Sequence, residues 1–116
     1  MMSEQEMKSM EKYALDILKN NPSPKWVTVL QTESGSMVFS FDDLTGEDTA
    51  AALKKGGETW VKKAITVCST GVCPPCAGVR DMLLKLDSRN ALTEVIGQGW
   101  DSLQVRTLEH YVPERK

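Results

Sequence analysis

Residues 65–84, ITVCSTGVCPPCAGVRDMLL, constrain this chain more than any other stretch. Residues 65–69 are an apolar run without alternation, the pattern of a strand buried on both faces. Gly71 supplies a tight turn, and Val79, Met82, Leu83 and Leu86 then recur at helical spacing. The spacing predicts an amphipathic helix that opens on Cys73-Pro74-Pro75-Cys76, runs to about Leu86 and packs against the strand before it. All three cysteines of the chain fall inside this unit. A helix N-terminus stabilises negative charge and so favours a thiolate, which makes Cys73 and Cys76 candidates for metal binding or redox chemistry.

The flanking sequence supplies partners for that unit. Ser3 and Glu6 have capping-box spacing, and Met7, Met10, Tyr13, Ala14, Ile17 and Leu18 form one apolar face behind them, which predicts a first helix. Asn20-Asn21-Pro22-Ser23-Pro24 stops it. Residues 26–32 and 37–41 are β-branched and aromatic around Glu33-Ser34-Gly35-Ser36, and read as a β-hairpin. Thr45 and Asp48 have the looser capping spacing ahead of an Ala-rich helix that closes at Gly56-Gly57. Trp60 and Val61 lead into the central strand. After Asp87-Ser88-Arg89-Asn90, residues 92–96 and 103–108 read as two last strands joined through the glycine-containing turn 97–102. The order is helix, strand, strand, helix, strand, helix, strand, strand. A single mixed sheet of about five strands with helices packed on it is the layered solution for such a string.

A chain of 116 residues supports one core, so residues 1–116 are expected to form a single domain. The net charge of −2 gives no global attraction to nucleic acid. No apolar run reaches membrane length, and the N-terminus lacks the basic-then-apolar pattern of a secretory signal, so a cytoplasmic location is expected. An odd number of cysteines without an export signal argues for a metal or thiol role over a disulfide framework.

The run Cys68-Ser69-Thr70-Gly71-Val72-Cys73-Pro74-Pro75-Cys76-Ala77-Gly78 resembles the Pro-Cys-x-x-Cys-Ala-Gly segment of the zinc-dependent cytidine deaminase superfamily. Its Ser-Thr-Gly-Val-Cys approach, and two closing strands with no helix between them, resemble the bacterial toxin-type deaminases in particular. The resemblance implies a deaminase-like sheet, zinc held by Cys73 and Cys76, and hydrolytic deamination of a nucleotide or nucleic-acid base of the cytosine type. A protein partner such as an inhibitor is also implied. The family's second motif, His-x-Glu at the start of the preceding helix, matches Thr45-Gly46-Glu47, about 26 residues before Cys73. Glu47 then corresponds to the catalytic proton shuttle, and Thr45 stands where the family has its zinc-binding His.

A neutral hydroxyl is a poor zinc donor, so the third ligand is open among Thr45, Cys68 and Asp48. His110, the one histidine, lies past the last strand. Each residue also has a plainer role. Thr45 suits a helix cap, Glu47 the helix dipole, and Cys68 the interior of a strand. Trp26, Trp60 and Trp100 suit packing, and Lys54, Lys55, Lys62 and Lys63 a solvated face. Three functions are therefore carried forward: a zinc-dependent deaminase-like hydrolase, a dithiol oxidoreductase with Cys73 attacking and Cys76 resolving, and a deaminase-fold binding module without catalysis. The first requires Glu47 and Cys73 to face one cavity. The second expects Cys73 to be more acidic than Cys68.

Overall fold

The structure is a computed structural model that describes residues 2–111. In chain order it contains α1 (Glu4–Lys19), the hairpin β1 (Trp26–Thr32) and β2 (Met37–Phe41), and α2 (Glu47–Lys55). Then follow β3 (Val61–Cys68), β4 (Gly71–Cys73), α3 (Ala77–Leu86), β5 (Glu94–Gln98) and β6 (Leu103–Thr107). Short 3-10 turns cover Ser88–Leu92 and Leu108–Tyr111.

The capping box at α1 closes as the sequence expects. The Glu6 N–H donates to Ser3 Oγ at 3.2 Å and the Ser3 N–H to Glu6 Oε1 at 3.3 Å. Strands run β2-β1-β3-β5-β6 across one mixed sheet. β1 is antiparallel to both β2 and β3, whereas β3 and β5 are parallel, a pairing that needs the crossover α3 supplies. β6 closes the edge antiparallel to β5.

β3 is interior, between β1 and β5, and residues 64–67 are buried on both faces of the sheet. Odd-numbered Val27, Val29, Ile65 and Val67 join Met10 and Ala14 of α1 in one core. Leu30, Ala64 and Val95 join Leu53 of α2 and Val79 and Leu83 of α3 in the other. The period of two along each strand thus separates two apolar layers, one per face.

The structure adds a strand and moves several boundaries, β3 starting at Val61, four residues before the expected 65–69 run. β4 folds back on β3, so residues 71–73 are a sixth strand rather than the turn into a helix. α3 begins at Ala77 instead of on the Cys-x-x-Cys run, because a residue before proline is disfavoured in helical geometry and both Cys73 and Pro74 precede one. α2 begins at Glu47, with Gly46 at its N-cap in a left-handed conformation (φ 85°). β5 begins at Glu94 because residues 88–92 coil into a 3-10 turn that leaves Leu92 65% exposed.

Of the tryptophans, Trp100 is fully exposed, and the Trp60 ring lies between the cations of Lys62 and Arg89, at 4.6 and 4.3 Å from its centroid. The frayed tail expected at 113–116 lies outside the described residues. Among the described residues no helix is long and apolar enough to cross a membrane.

Candidate functional site

The two segments singled out by the sequence come together where α2 and α3 begin. Their contact is made by backbone. A Cβ on Gly78, in the first turn of α3, would fall 1.9 Å from the Leu44 carbonyl oxygen and 2.7 Å from Thr45 Cα. Only glycine allows the turn at 44–46 to approach that closely. Gly46 faces the same helix, its absent Cβ directed at Met82 and the Gly78 carbonyl. Cys76, the N-cap of α3, completes the contact by donating its thiol to the Leu44 carbonyl at 3.4 Å.

Asp43 holds that turn in shape. It is 4% exposed, and its carboxylate accepts from the Gly46 N–H (2.9 Å), the Thr49 N–H (2.8 Å) and the Thr49 hydroxyl (2.7 Å). Burial raises its pKa. The bonds from Thr49, Gly46 and Asp48 more than offset this, and the net effect is a lowered pKa. Asp43 therefore does the capping that the sequence assigns to Thr45 with Asp48. The Thr45 hydroxyl accepts only from the Glu47 N–H at 3.2 Å, and both Thr45 and Glu47 are exposed. Asp-x-x-Gly-x-x-Thr carried no recognised capping spacing, so this role was legible only in three dimensions.

Beneath the turn, four polar side chains line up across the sheet. Ser40 is paired with Thr28, Thr28 with Thr66, and Thr66 with Cys73, and residues paired in this way share a face. The Ser40 hydroxyl bonds the Thr49 hydroxyl of α2 at 2.6 Å, which fixes the row on the α2/α3 side. Thr28 and Thr66 bond each other at 3.2 Å. The row starts at the Asp43 cap and ends on Cys73.

The three cysteines do not arrange as the sequence suggests. Register places Cys73 opposite Thr66 and Gly71 opposite Cys68, so Cys68 and Cys73 are diagonal neighbours on one face. Cys76 turns away, to Leu44. Burial, followed by the interaction with Cys68, pushes the Cys73 thiol up to about 11. The thiol of Cys73, then the Thr70 hydroxyl at 3.1 Å, lower that of Cys68. The helix N-terminus expected to acidify Cys73 is not at that residue, because Cys73 ends a strand and the N-cap of α3 lies three residues further on.

The zinc implied by the resemblance can be tested on these donors. Cys73 donates to the Gly71 carbonyl at 3.5 Å, Cys76 to Leu44, and Thr45 is occupied by Glu47. Among the described residues no three His, Cys, Asp or Glu side chains form a group able to hold a metal ion. The donor set does not fit a closed or catalytic zinc site, which takes three or four strong donors directed at one point. His110, which no sequence signal connects to the cysteines, borders a cavity of about 220 Å³ together with Pro74, Arg106 and Tyr111. Glu47 is not in that wall.

In comparisons with known proteins, no family model matches the chain, and no curated protein matches it significantly.

Proposed function

We propose that this chain is a deaminase-like binding module, which takes a nucleotide or nucleic-acid base where α2 and α3 begin and lacks a zinc-hydrolase centre. The observation that carries this reading is the backbone contact of Leu44 and Thr45 with Gly78, which sets Thr45-Gly46-Glu47 beside Cys76. The two motifs of the resemblance lie far apart in sequence and meet where α2 and α3 pack side by side on one face of the sheet. The loss of catalysis follows from the donors. Cys73 and Cys76 point at different partners, and Thr45 offers a hydroxyl already engaged by the backbone. The mixed sheet, with β5 and β6 joined without a helix, agrees with the toxin-type variant of the fold.

The test combines metal content, turnover and binding. Protein purified without chelator is expected to carry sub-stoichiometric zinc and to leave cytidine, CMP and cytosine in single-stranded nucleic acid unchanged. At least one of these ligands is expected to raise the melting temperature, since binding to the folded state alone stabilises it. Thr45→His should gain a zinc-dependent rise in melting temperature absent from the wild type, because an imidazole replaces a weak oxygen donor. One zinc per chain with ammonia release by the wild type would make the protein an active deaminase, and failure of every ligand to shift melting would remove the binding function.

A further inference from the structure

We propose that the cavity between β4, the end of β5 and the turn Leu108–Tyr111 is a binding site for a phosphate group, with Arg106 supplying the charge and Gln104, His110 and Tyr111 further donors. The inference stands apart from the base-binding reading and needs neither the start of α2 nor a metal.

The sheet makes this cavity by changing partners. One edge of β3 is paired with β5 over residues 63–65 and with β4 over residues 66–68, while β1 holds the other edge throughout. From Gly97 onward β5 is therefore paired only with β6. The strands part there, at the carboxyl end of the parallel pair, where open α/β sheets leave a crevice for ligands. The opening has a volume of about 220 Å³. That lies below the roughly 300 Å³ at which sites for drug-sized ligands begin, so the fit is to an ion or a single group.

Register and a glycine bring the donors to it. Arg106 is paired with Val95 and Gln104 with Gly97, so both stand on the face that Val95 shares with α2 and α3. The Tyr111 hydroxyl lies 2.8 Å from where a Cβ on Gly97 would be, a position open to it only because residue 97 has no side chain. The turn that carries His110 and Tyr111 is held from two sides. The buried Leu108 donates its N–H to the Thr93 carbonyl at 2.9 Å, and Arg80 of α3 donates to the Tyr111 carbonyl at 2.8 Å.

The charge balance selects an anion. Among the described residues, Arg80 and Arg89 are paired with Asp81 and Asp87, whereas Arg106 has no carboxylate partner. Among those residues, too, no carboxylate lines the cavity and the Tyr111 hydroxyl has no hydrogen-bond partner. A planar carboxylate is satisfied by the two parallel N–H groups of one guanidinium and leaves the remaining donors unmatched. A tetrahedral phosphate presents oxygens to donors arriving from β6 and from the turn together.

The test titrates the full chain with sodium phosphate, acetate or chloride at matched ionic strength, following melting temperature and amide NMR shifts. Phosphate is expected to give a saturable response in the low millimolar range, with shifts centred on Gly97, Arg106 and Tyr111 and none at Gly46 or Cys76. Ribose 5-phosphate separates the sources: tighter binding than inorganic phosphate assigns a phosphate monoester, and equal or weaker binding the free ion. Arg106→Gln should weaken phosphate binding about tenfold or more through loss of the charge-assisted contact. Lys54→Gln, which removes an exposed cation at the end of α2, should leave it unchanged. An equal response to acetate or chloride, a response that never saturates, shifts centred elsewhere, or full binding by Arg106→Gln would each overturn the assignment. The ion comparison and the shift map require no substitution, so a poorly folding variant does not decide the outcome. Base ligands are read at Gly46 and Cys76, so either reading can fail while the other stands.

Discussion

At the scale of single residues, the chemistry of the site depends on which backbone amides and thiols already have partners. Asp43 is the clearest case, a buried carboxylate that meets three donors from Gly46 and Thr49 at 2.9 Å or less. Replacing it with Ala should cost about 2–3 kcal/mol, the range of a lost cap whose bonds are charge-assisted, measurable as a shift in urea midpoint. The sign of its pH dependence follows from its lowered pKa. The stabilisation is fully present above the unfolded carboxylate value of 3.8 and is lost as pH falls through the lower folded value. The stability gap between wild type and Asp43→Ala should therefore be constant from neutral pH down to about 5 and close in the acid range below 4. A gap that widened on acidification would show that Asp43 is not ionised in the folded protein.

At the scale of elements, the decisive contact is between a turn and a helix. The turn at 44–46 reaches α3 only because Gly78 presents no side chain, so the start of α2 is positioned by the first turn of α3. Gly78→Ala would normally favour a helix by up to about 1 kcal/mol. Here the added methyl meets backbone, which cannot rotate aside, so a net loss of about 2–4 kcal/mol or a displaced turn is expected. Thermal melting reads the first outcome. The second appears as faster amide exchange at Gly46 and Thr49, whose N–H groups depend on Asp43. Unchanged melting and exchange would mean that the two segments do not touch. At the far end of α3, Asn90 does comparable work: fully buried, it accepts from the Val61 N–H and donates to the Thr59 and Leu83 carbonyls, tying α3 to the start of β3.

At the scale of the whole molecule, one sheet divides the apolar interior into two layers. Val27 lies in the layer under α1, and Val79 in the layer under α2 and α3. Each Val→Ala change should cost about 1–2 kcal/mol through lost burial and a small residual cavity. Because a sheet stands between the sites and they share no partner, the double variant should cost the sum to within about 0.5 kcal/mol in chemical denaturation. A larger deviation would mean that the layers repack as one. The same division explains why the polar row from Ser40 to Cys73 is tolerated. It occupies one end of one face, where the hydroxyls bond α2 and one another, and among the described residues no buried side-chain nitrogen or oxygen lacks a partner.

Local pattern was sufficient wherever neighbours in sequence are also neighbours in space. The capping box at Ser3, the hairpin around Gly35, the interior position of β3 and the α–β order all follow from periodicity, turn chemistry and burial within short windows. That Thr45-Gly46-Glu47 and Cys76-Ala77-Gly78 come near each other follows from both starting helices at the same edge of the sheet, but no local rule sets the distance between two helix starts. What tertiary structure alone decided is which groups become partners. Pairing β4 on β3 set Cys73 opposite Thr66 and diagonal to Cys68, because strand register acts across the turn whereas Pro74 and Pro75 keep the Cys-x-x-Cys segment extended. The cap of α2 passed from Thr45 to Asp43 because Gly46 adopts a left-handed conformation, and that conformation is held by contact with Met82 and Gly78, more than 30 residues away in the chain.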